Sequence, residues 1–581
     1  MTGFTAIFLA VCLAAVTGCD RDPPETSDVP VAPPVVLSPV ERAVRLSMTL
    51  RGIHPSEAEL DRVLADPAAV DGLVDDWLAS PQFAEVVRDL HAEILLVRAD
   101  GANRLEFPPV GLMEGYAEGE IDVSASEAPL RFVEEIVTSG RPYTEILTAD
   151  YTVADAVVAR IYGLDFDPDG PTWQHTTWSD GRPHAGLLSD SAIWRRQVSN
   201  GYNYHRGRAD FLADAFLCSA FSQRSIPLEG GVVTSSDAGV ADAIANNTSC
   251  RGCHDELDPL AAYLWGFRRD LDRNNIALAH SRGCAPGTDD ADLCYPLRFY
   301  DPAREAEWQE HALPAPGYFG QAVDGLPGLG RAIAEDPRFA PCVARRFEAW
   351  LTETEVADIP ADRAAELGQV LVDAGYDAKA LIRAIVTSDR FGYASPGGLT
   401  IGEAAPVQVA RLETWARTVE DLTGFRWWVS TDAGYGCPDG WCWGTVDLST
   451  TDKFGYRYLV GGISGVQIVQ PTYVVGPVKS LALAAIAREA AGYVVDHDFA
   501  APASERRLLG GIEPTVVDEP AVRAQLAALQ LRILAEPVDP ADPALDAAYA
   551  VWQAGAADGD PSDGWRLVIT AMLQDPAMVL Y

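Results

Sequence analysis

Val343-Ala344-Arg345-Arg346-Phe347-Glu348-Ala349-Trp350-Leu351 places Val343, Phe347, Trp350 and Leu351 at i, i+4, i+7 and i+8. That recurrence brings side chains to one face of a helix with 3.6 residues per turn. Outward from this stretch the same period returns. Leu73, Trp77 and Leu78 are spaced for one helix face, and the helical pattern runs from Pro39 onward with short loops marked by Pro, Gly and Asp. These stripes read as core faces, not as cofactor boxes. A weak echo links Leu73 to Phe83 with Leu381 to Phe391, and more loosely with Leu567 to Pro576. It has two readings, duplicated helical units or a shared helix ending. Between Asp270 and Gly317 the periodicity fails and Gly, Pro, Asp and Cys dominate, which reads as a long loop or insertion. A second break, Gly398 to Pro406, precedes a region containing Trp427, Trp428, Trp441 and Trp443 and a β-rich run from Phe454 to Val475. The expected fold is mainly α, a multi-domain helical protein with a small β-containing patch in its C-terminal third.

At roughly 150 residues per domain, 581 residues imply three to four domains. A hydrophobic share of 48% gives each a core and excludes general disorder. The 44 Lys and Arg against 84 Asp and Glu leave a net charge of -40. Such a surface repels phosphate backbones and anionic headgroups, which argues against nucleic-acid binding. No apolar run of about 18 residues occurs, so no spanning helix is expected in the mature chain. Phe4 to Val16 has the length of a signal peptide, and Val16-Thr17-Gly18-Cys19 resembles the lipobox of bacterial lipoproteins, although no Lys or Arg precedes the apolar run. On that reading 1–19 is a lipoprotein signal peptide and Cys19 is lipidated. Asp20 to Ser38, with Pro23, Pro24, Pro30, Pro33 and Pro34, is then a tether. The alternative is an uncleaved hydrophobic tail. The expected location is the periplasm or cell surface of a bacterium, with the lipid anchor as the only membrane contact.

The most specific signal is Cys250-Arg251-Gly252-Cys253-His254, the spacing of c-type haem attachment. Two thiols three positions apart reach the two vinyl groups of one porphyrin, and the next residue sets an imidazole beneath the iron. With ten Cys and nine His in the chain, coincidence accounts for about 0.003 such patterns. Haem c is therefore the expected cofactor, with Cys250 and Cys253 as attachment points and His254 as proximal ligand. The rivals are a short CxxC disulfide and a zinc half-site, the latter lacking a second ligand pair. Setting aside Cys12, Cys19 and the haem pair leaves Cys218, Cys284, Cys294, Cys342, Cys437 and Cys442, an even number that suits oxidised pairing in an exported protein. Local spacing pairs Cys284 with Cys294 and Cys437 with Cys442, leaving Cys218 for Cys342. The alternative is that some are buried thiols.

Cys250 to Pro259, reading CRGCHDELDP, resembles the CxxCHxxxDP segment of planctomycete-type cytochrome-like proteins built from tandem domains of unknown function. Leu147-Thr148-Ala149-Asp150-Tyr151 with Ile161-Tyr162-Gly163 looks like that family's upstream domain. His184-Ala185-Gly186-Leu187-Leu188, His205-Arg206-Gly207 and Leu217-Cys218 look like the lead-in to its haem-type motif, and Asp324-Gly325 with Phe339-Ala340-Pro341-Cys342 like its following domain. The chain departs from the family at Leu260 to Phe267, LAAYLWGF, and in the segment Cys284 to Cys294, which looks inserted. The resulting division is an N-terminal helical domain at 39–170, a haem-type domain at 171–310 with a Cys-containing insertion, a helical domain at 311–397 and a C-terminal domain at 398–581.

No Walker loop, HExxH or GxSxG is present, and Gly325 to Gly330 is not a dinucleotide fingerprint. The leading expectation is an envelope-anchored, single-haem electron-transfer protein whose redox partner is not named by the sequence. One carboxylate about 10 Å from the iron favours the ferric state by roughly 1.7 kcal/mol, or about 70 mV, so Asp255, Glu256 and Asp258 imply a low-to-moderate potential. A surface scaffold or polymer-binding lipoprotein, with CxxC as a disulfide and the Trp-rich region as its platform, is the alternative. The sixth iron position divides the redox reading further. No Met lies in the haem-type segments, so His205 or His184 would complete a bis-histidine carrier. An open position, with Arg206 to polarise peroxide, would instead make a peroxidase-like enzyme.

Overall fold

The computed structural model describes residues 33–581 apart from 99–106, 198, 200–202, 226–235, 270, 289, 312, 396–398, 400–402, 431–444, 449–450, 452–455 and 464–467. Helices dominate. The first group is α1 (Pro39–Arg51), α2 (Glu57–Ala65), α3 (Ala69–Leu78), α4 (Pro81–Leu95), α5 (Glu118–Thr138), α6 (Glu145–Thr148) and α7 (Ala156–Tyr162). Next come α8 (Ser191–Arg196), α9 (Arg206–Leu217), α10 (Asp237–Asn246), α11 (Thr248–Ala262) and α12 (Arg273–Ser281), then α13 (Gly325–Ala334), α14 (Phe339–Thr352), α15 (Ala361–Asp373) and α16 (Ala378–Val386). The last are α17 (Leu412–Thr423), α18 (Pro477–Ala500), α19 (Glu519–Leu534), α20 (Asp546–Gly555) and α21 (Pro561–Leu573). Short 3-10 turns and three two-stranded antiparallel sheets complete the described elements, the sheets being β1 (Val35–Val36) with β4 (Tyr393–Ser395), β2 (Thr152–Ala154) with β3 (Gln174–Thr176), and β5 (Trp428–Ser430) with β6 (Thr445–Asp447).

The mainly α expectation holds, and so does a small β patch in the C-terminal third. Its position differs from the expected one: the described residues of 454–475 form a 3-10 turn at Tyr458–Val460 and irregular chain, while β5 and β6 lie before them. The Asp270–Gly317 stretch contains α12, started by Asp272, whose side chain accepts a hydrogen bond from the Asn275 amide. A nine-residue helix between Gly- and Pro-rich flanks is too short to leave a visible period. The echo has a physical source. Ser80 caps α4 directly behind α3, and Ser388 and Asp575 precede 3-10 turns directly behind α16 and α21. What repeats is a helix end handing over to a new turn.

Two large apolar cores form. The first runs from Ala43 to Ala405 and takes side chains from each of 39–170, 171–310 and 311–397. The second takes Met48 and residues between Ala410 and Val579. Helix α1 serves both. Leu46 and Leu50 enter the first core and Met48 the second, while Arg45, 1% exposed, donates to the carbonyls of Phe391, Tyr393 and Tyr581.

Beside α1 a set of buried ion pairs joins the two cores. Arg411 donates to Glu93 at 2.9 Å and to Glu353 at 3.3 Å, and Glu353 also accepts from the Val409 amide and the Tyr581 hydroxyl. Arg417 donates to Glu85 and Asp89, and Arg98 to Asp89 and Glu127. Burial opposes the Asp89 charge, but Arg417 and Arg98 hold its carboxyl down to about 2. Burial raises Glu93 and Glu353 above the usual range. A cavity of about 40 Å³ lies here, lined in part by Asp89, Glu93, Arg98, Arg411, Tyr473 and Lys479. It has room for a few waters.

Candidate functional site

The CRGCH segment forms the first turns of α11. Asn247 starts the helix by accepting hydrogen bonds from the Ser249 and Cys250 amides at 2.9 and 3.2 Å, satisfying donors that have no partner within the helix. Cys253 and Leu257, four apart, face the first core, while Cys250 is half-buried. The two thiols are not bridged. His254 and Asp258 lie one turn apart on the same face, and the His254 Nδ1 meets the Asp258 carboxylate at 3.0 Å.

Asp258 is in turn gripped by a second helix. Arg206, the first residue of α9, donates through Nε to Oδ1 at 2.6 Å and through Nη2 to Oδ2 at 2.9 Å. The planar fork of a guanidinium matches a carboxylate in this way, which fixes the rotation of Asp258 and, through it, the His254 ring. The turn before α9 aims Arg206. Tyr204 and His205 both take left-handed backbone angles, φ 51 and φ 63, an uncommon conformation for residues with side chains. Asn203 braces the turn by accepting from the Arg206 amide through its carbonyl and from the Gly207 amide through its side chain. Burial works against the Asp258 charge, but the bonds from Arg206 and His254 outweigh it and hold the carboxyl below its ordinary value.

This donor set fits a c-type haem. Two unbridged thiols stand at i and i+3, and the adjacent imidazole has Nδ1 engaged, so Nε2 is the nitrogen left for iron. Each of the three carboxylates in the segment also has its own arginine: Asp255 pairs with Arg251 at 3.3 Å, Glu256 with Arg224 at 2.9 Å, and Asp258 with Arg206. The expected field of three bare carboxylates is thus largely neutralised, and Asp258 bears on the site through its bond to His254.

The other predicted site residues fall as follows. His205 is fully buried, its ring edge-on to Trp265 at 5.2 Å, and Arg208 Nη1 lies 3.1 Å from its Nδ1. A guanidinium only donates, so Nδ1 accepts and the proton of the neutral ring sits on Nε2, where an iron ligand needs a lone pair. His184 is half-buried with Asp150, Asp180 and Arg182 bearing on its charge. Arg206 is oriented by Asp258, which engages its Nε and Nη2. Cys218–Cys342 and Cys284–Cys294 are disulfides with Cα atoms 5.4 and 5.9 Å apart, the first tying the end of α9 to α14. Cys19, Cys437, Cys442, Trp441 and Trp443 lie outside the described residues. Among the described residues no helix is long and apolar enough to cross a membrane.

Residues 37–164 match the family model PSD4, a protein of unknown function (DUF1592). The matched range contains Leu147 to Tyr151 and Ile161 to Gly163, two of the segments that carry the tandem-domain resemblance; the CRGCH segment lies beyond it. No curated protein and no solved structure matches the chain. Two features of the molecule carry no recognisable motif and escaped the reading of the sequence: the Arg411 cluster and the surroundings of Trp265. Each is assembled from single residues far apart in the chain.

Proposed function

We propose that the chain is a cytochrome c-like electron carrier of the bacterial envelope, anchored through Cys19, with haem attached at Cys250 and Cys253 and His254 as its proximal ligand. The observation that carries this reading is the His254–Asp258–Arg206 arrangement. A CxxC disulfide needs no oriented histidine after it, whereas an iron-binding imidazole is held by just such a partner on its far nitrogen. When bound, the haem supplies a one-electron couple between ferric and ferrous iron. The protein's part is to keep the Nε2 lone pair free by engaging Nδ1 with Asp258. It also lends the imidazole electron density through that bond and, with α11 set against the first core, places Cys253 away from water. The chain's large negative charge favours a partner with a basic docking surface.

An optical redox titration of haem-loaded protein tests the reading. Asp258→Asn should raise the midpoint potential by roughly 60 to 120 mV, the equivalent of a ten- to hundredfold change at the metal. Arg251→Gln, which alters only an exposed pair, should leave it within about 20 mV after solvent screening. Equal shifts in both variants would contradict the role given to Asp258.

A further inference from the structure

Beyond Arg206 the turn before α9 meets a cluster that electron transfer does not use. Trp265, fully buried just past the end of α11, is its centre. The His205 ring lies 5.2 Å from it, the His311 ring 5.1 Å, and the guanidinium of Arg269 sits over its face at 5.0 Å. Arg208, 2% exposed, closes the far side of His205.

Three polar atoms here are buried with no hydrogen-bond partner among the described residues: His205 Nε2, Trp265 Nε1 and Arg269 Nη1. Trp265 Nε1 and Arg269 Nη1 are donors by chemistry. His205 Nε2 is a donor by deduction. Burial, reinforced by Arg208, Arg269 and Arg304, holds the imidazole well below its ordinary pKa, so the ring is neutral. Its Nδ1 already accepts from Arg208, and its single proton is therefore on Nε2. The cluster thus has three idle donors and lacks an acceptor.

The charges agree with this count. Arg206 is matched by Asp258 and Arg304 by Glu307. Arg208 bonds only neutral groups, namely the carbonyls of Gln197, Trp194 and Arg268 and the imidazole of His205. Arg269 has the Trp265 ring. Neither guanidinium has a carboxylate partner among the described residues. In a chain of net charge -40, with acidic residues to spare, buried cations left unmatched beside idle donors mark a place for a negative group.

We propose that Arg269, Trp265 and His205 bind an oxyanion, a carboxylate or phosphate group that accepts from their three idle N–H donors. It has two sources: a propionate of the attached haem, a reading that rests on the proposed function, or a free inorganic anion, which does not.

Calorimetric titration of inorganic phosphate, at constant ionic strength set with chloride, separates the outcomes. The full-length chain is used haem-loaded, and haem-free through Cys250→Ala with Cys253→Ala. The haem-free chain should bind one phosphate saturably, at least tenfold more weakly after Trp265→Phe, which keeps a ring and deletes the N–H, and after Arg269→Gln. Equal binding by the haem-loaded chain would identify the free anion. Loss of binding on haem loading, with a propionate band in the resonance Raman spectrum that shifts in Trp265→Phe, would identify the propionate. The proposal is overturned if both variants bind phosphate as the parent does. It is equally overturned if no form binds phosphate saturably and the propionate band is unmoved. A chain that takes up no haem would defeat the electron-carrier reading and leave the phosphate titration of the haem-free form to decide this one.

Discussion

Among the places where the molecule buries guanidinium groups, two clusters treat them in opposite ways. Around Arg411 each guanidinium meets carboxylates: Glu93 and Glu353 for Arg411, Glu85 and Asp89 for Arg417, Asp89 and Glu127 for Arg98. Around Trp265, Arg208 and Arg269 meet carbonyls, an imidazole and a ring face. Charges that are paired and hydrogen-bonded complete themselves, and the first cluster reads as a fastening between two cores. The second is incomplete without a ligand. The lesson is that whether buried guanidinium groups meet carboxylates, and not richness in Arg and aromatic residues, separates the two clusters.

Breaking the first cluster should have the largest effect. Arg411→Ala strands Glu93 and Glu353 in the interior and should cost about 3–5 kcal/mol in urea unfolding at neutral pH. Next, Cys342→Ser opens a bridge that spans 124 residues of sequence and should cost about 2–4 kcal/mol. Lys479 gives the fastening a pH signature. Its ammonium donates to the Ala410 carbonyl at 2.8 Å and burial lowers its pKa to about 8. The unfolded chain holds that proton to higher pH, so stability should rise between about pH 8 and 10 and the cost of the buried charge should be fully present below pH 8. Lys479→Met should flatten that rise, a difference of order 1–3 kcal/mol across the window in paired unfolding profiles; superimposable profiles would count against the assignment. The smallest effect belongs to the second cluster. Without an anion, Arg269→Gln removes an unmatched charge and should shift stability by less than about 1 kcal/mol. A loss as large as that of Arg411→Ala would erase the distinction between the clusters.

What the sequence shows and what it conceals follow from distance along the chain. The stripe of Val343, Phe347, Trp350 and Leu351 specifies a helix because its information is local, and the Cys250–His254 motif is local for the same reason. The Cys218–Cys342 bridge was reachable because parity and short-range spacing removed the other partners. Helix α1 shows the limit. Its run Glu41-Arg42-Ala43-Val44-Arg45-Leu46-Ser47 looks like a surface helix, yet Arg45 and Ser47 are buried because two cores enclose them and carbonyls of residues near 391 and 581 accept from Arg45. The partner of His254 was half legible. Asp258 at i+4 can be read from the motif, but Arg206, 52 residues upstream of it, cannot. The left-handed turn at Tyr204 and His205 escapes for another reason: its hydrogen bonds to Ser199 and Asn203 are local, but its residues include no glycine to announce such a turn.

The central claim is covalent haem at the start of α11, and the most direct test is the pyridine haemochrome spectrum of the full-length chain, made with a c-type maturation system and boiled in denaturant. One haem per chain should remain attached, with a spectrum typical of two thioether bonds, and Cys250→Ala with Cys253→Ala should abolish it. A chain that emerges colourless, or one whose haem is extracted by the denaturant, would contradict the account.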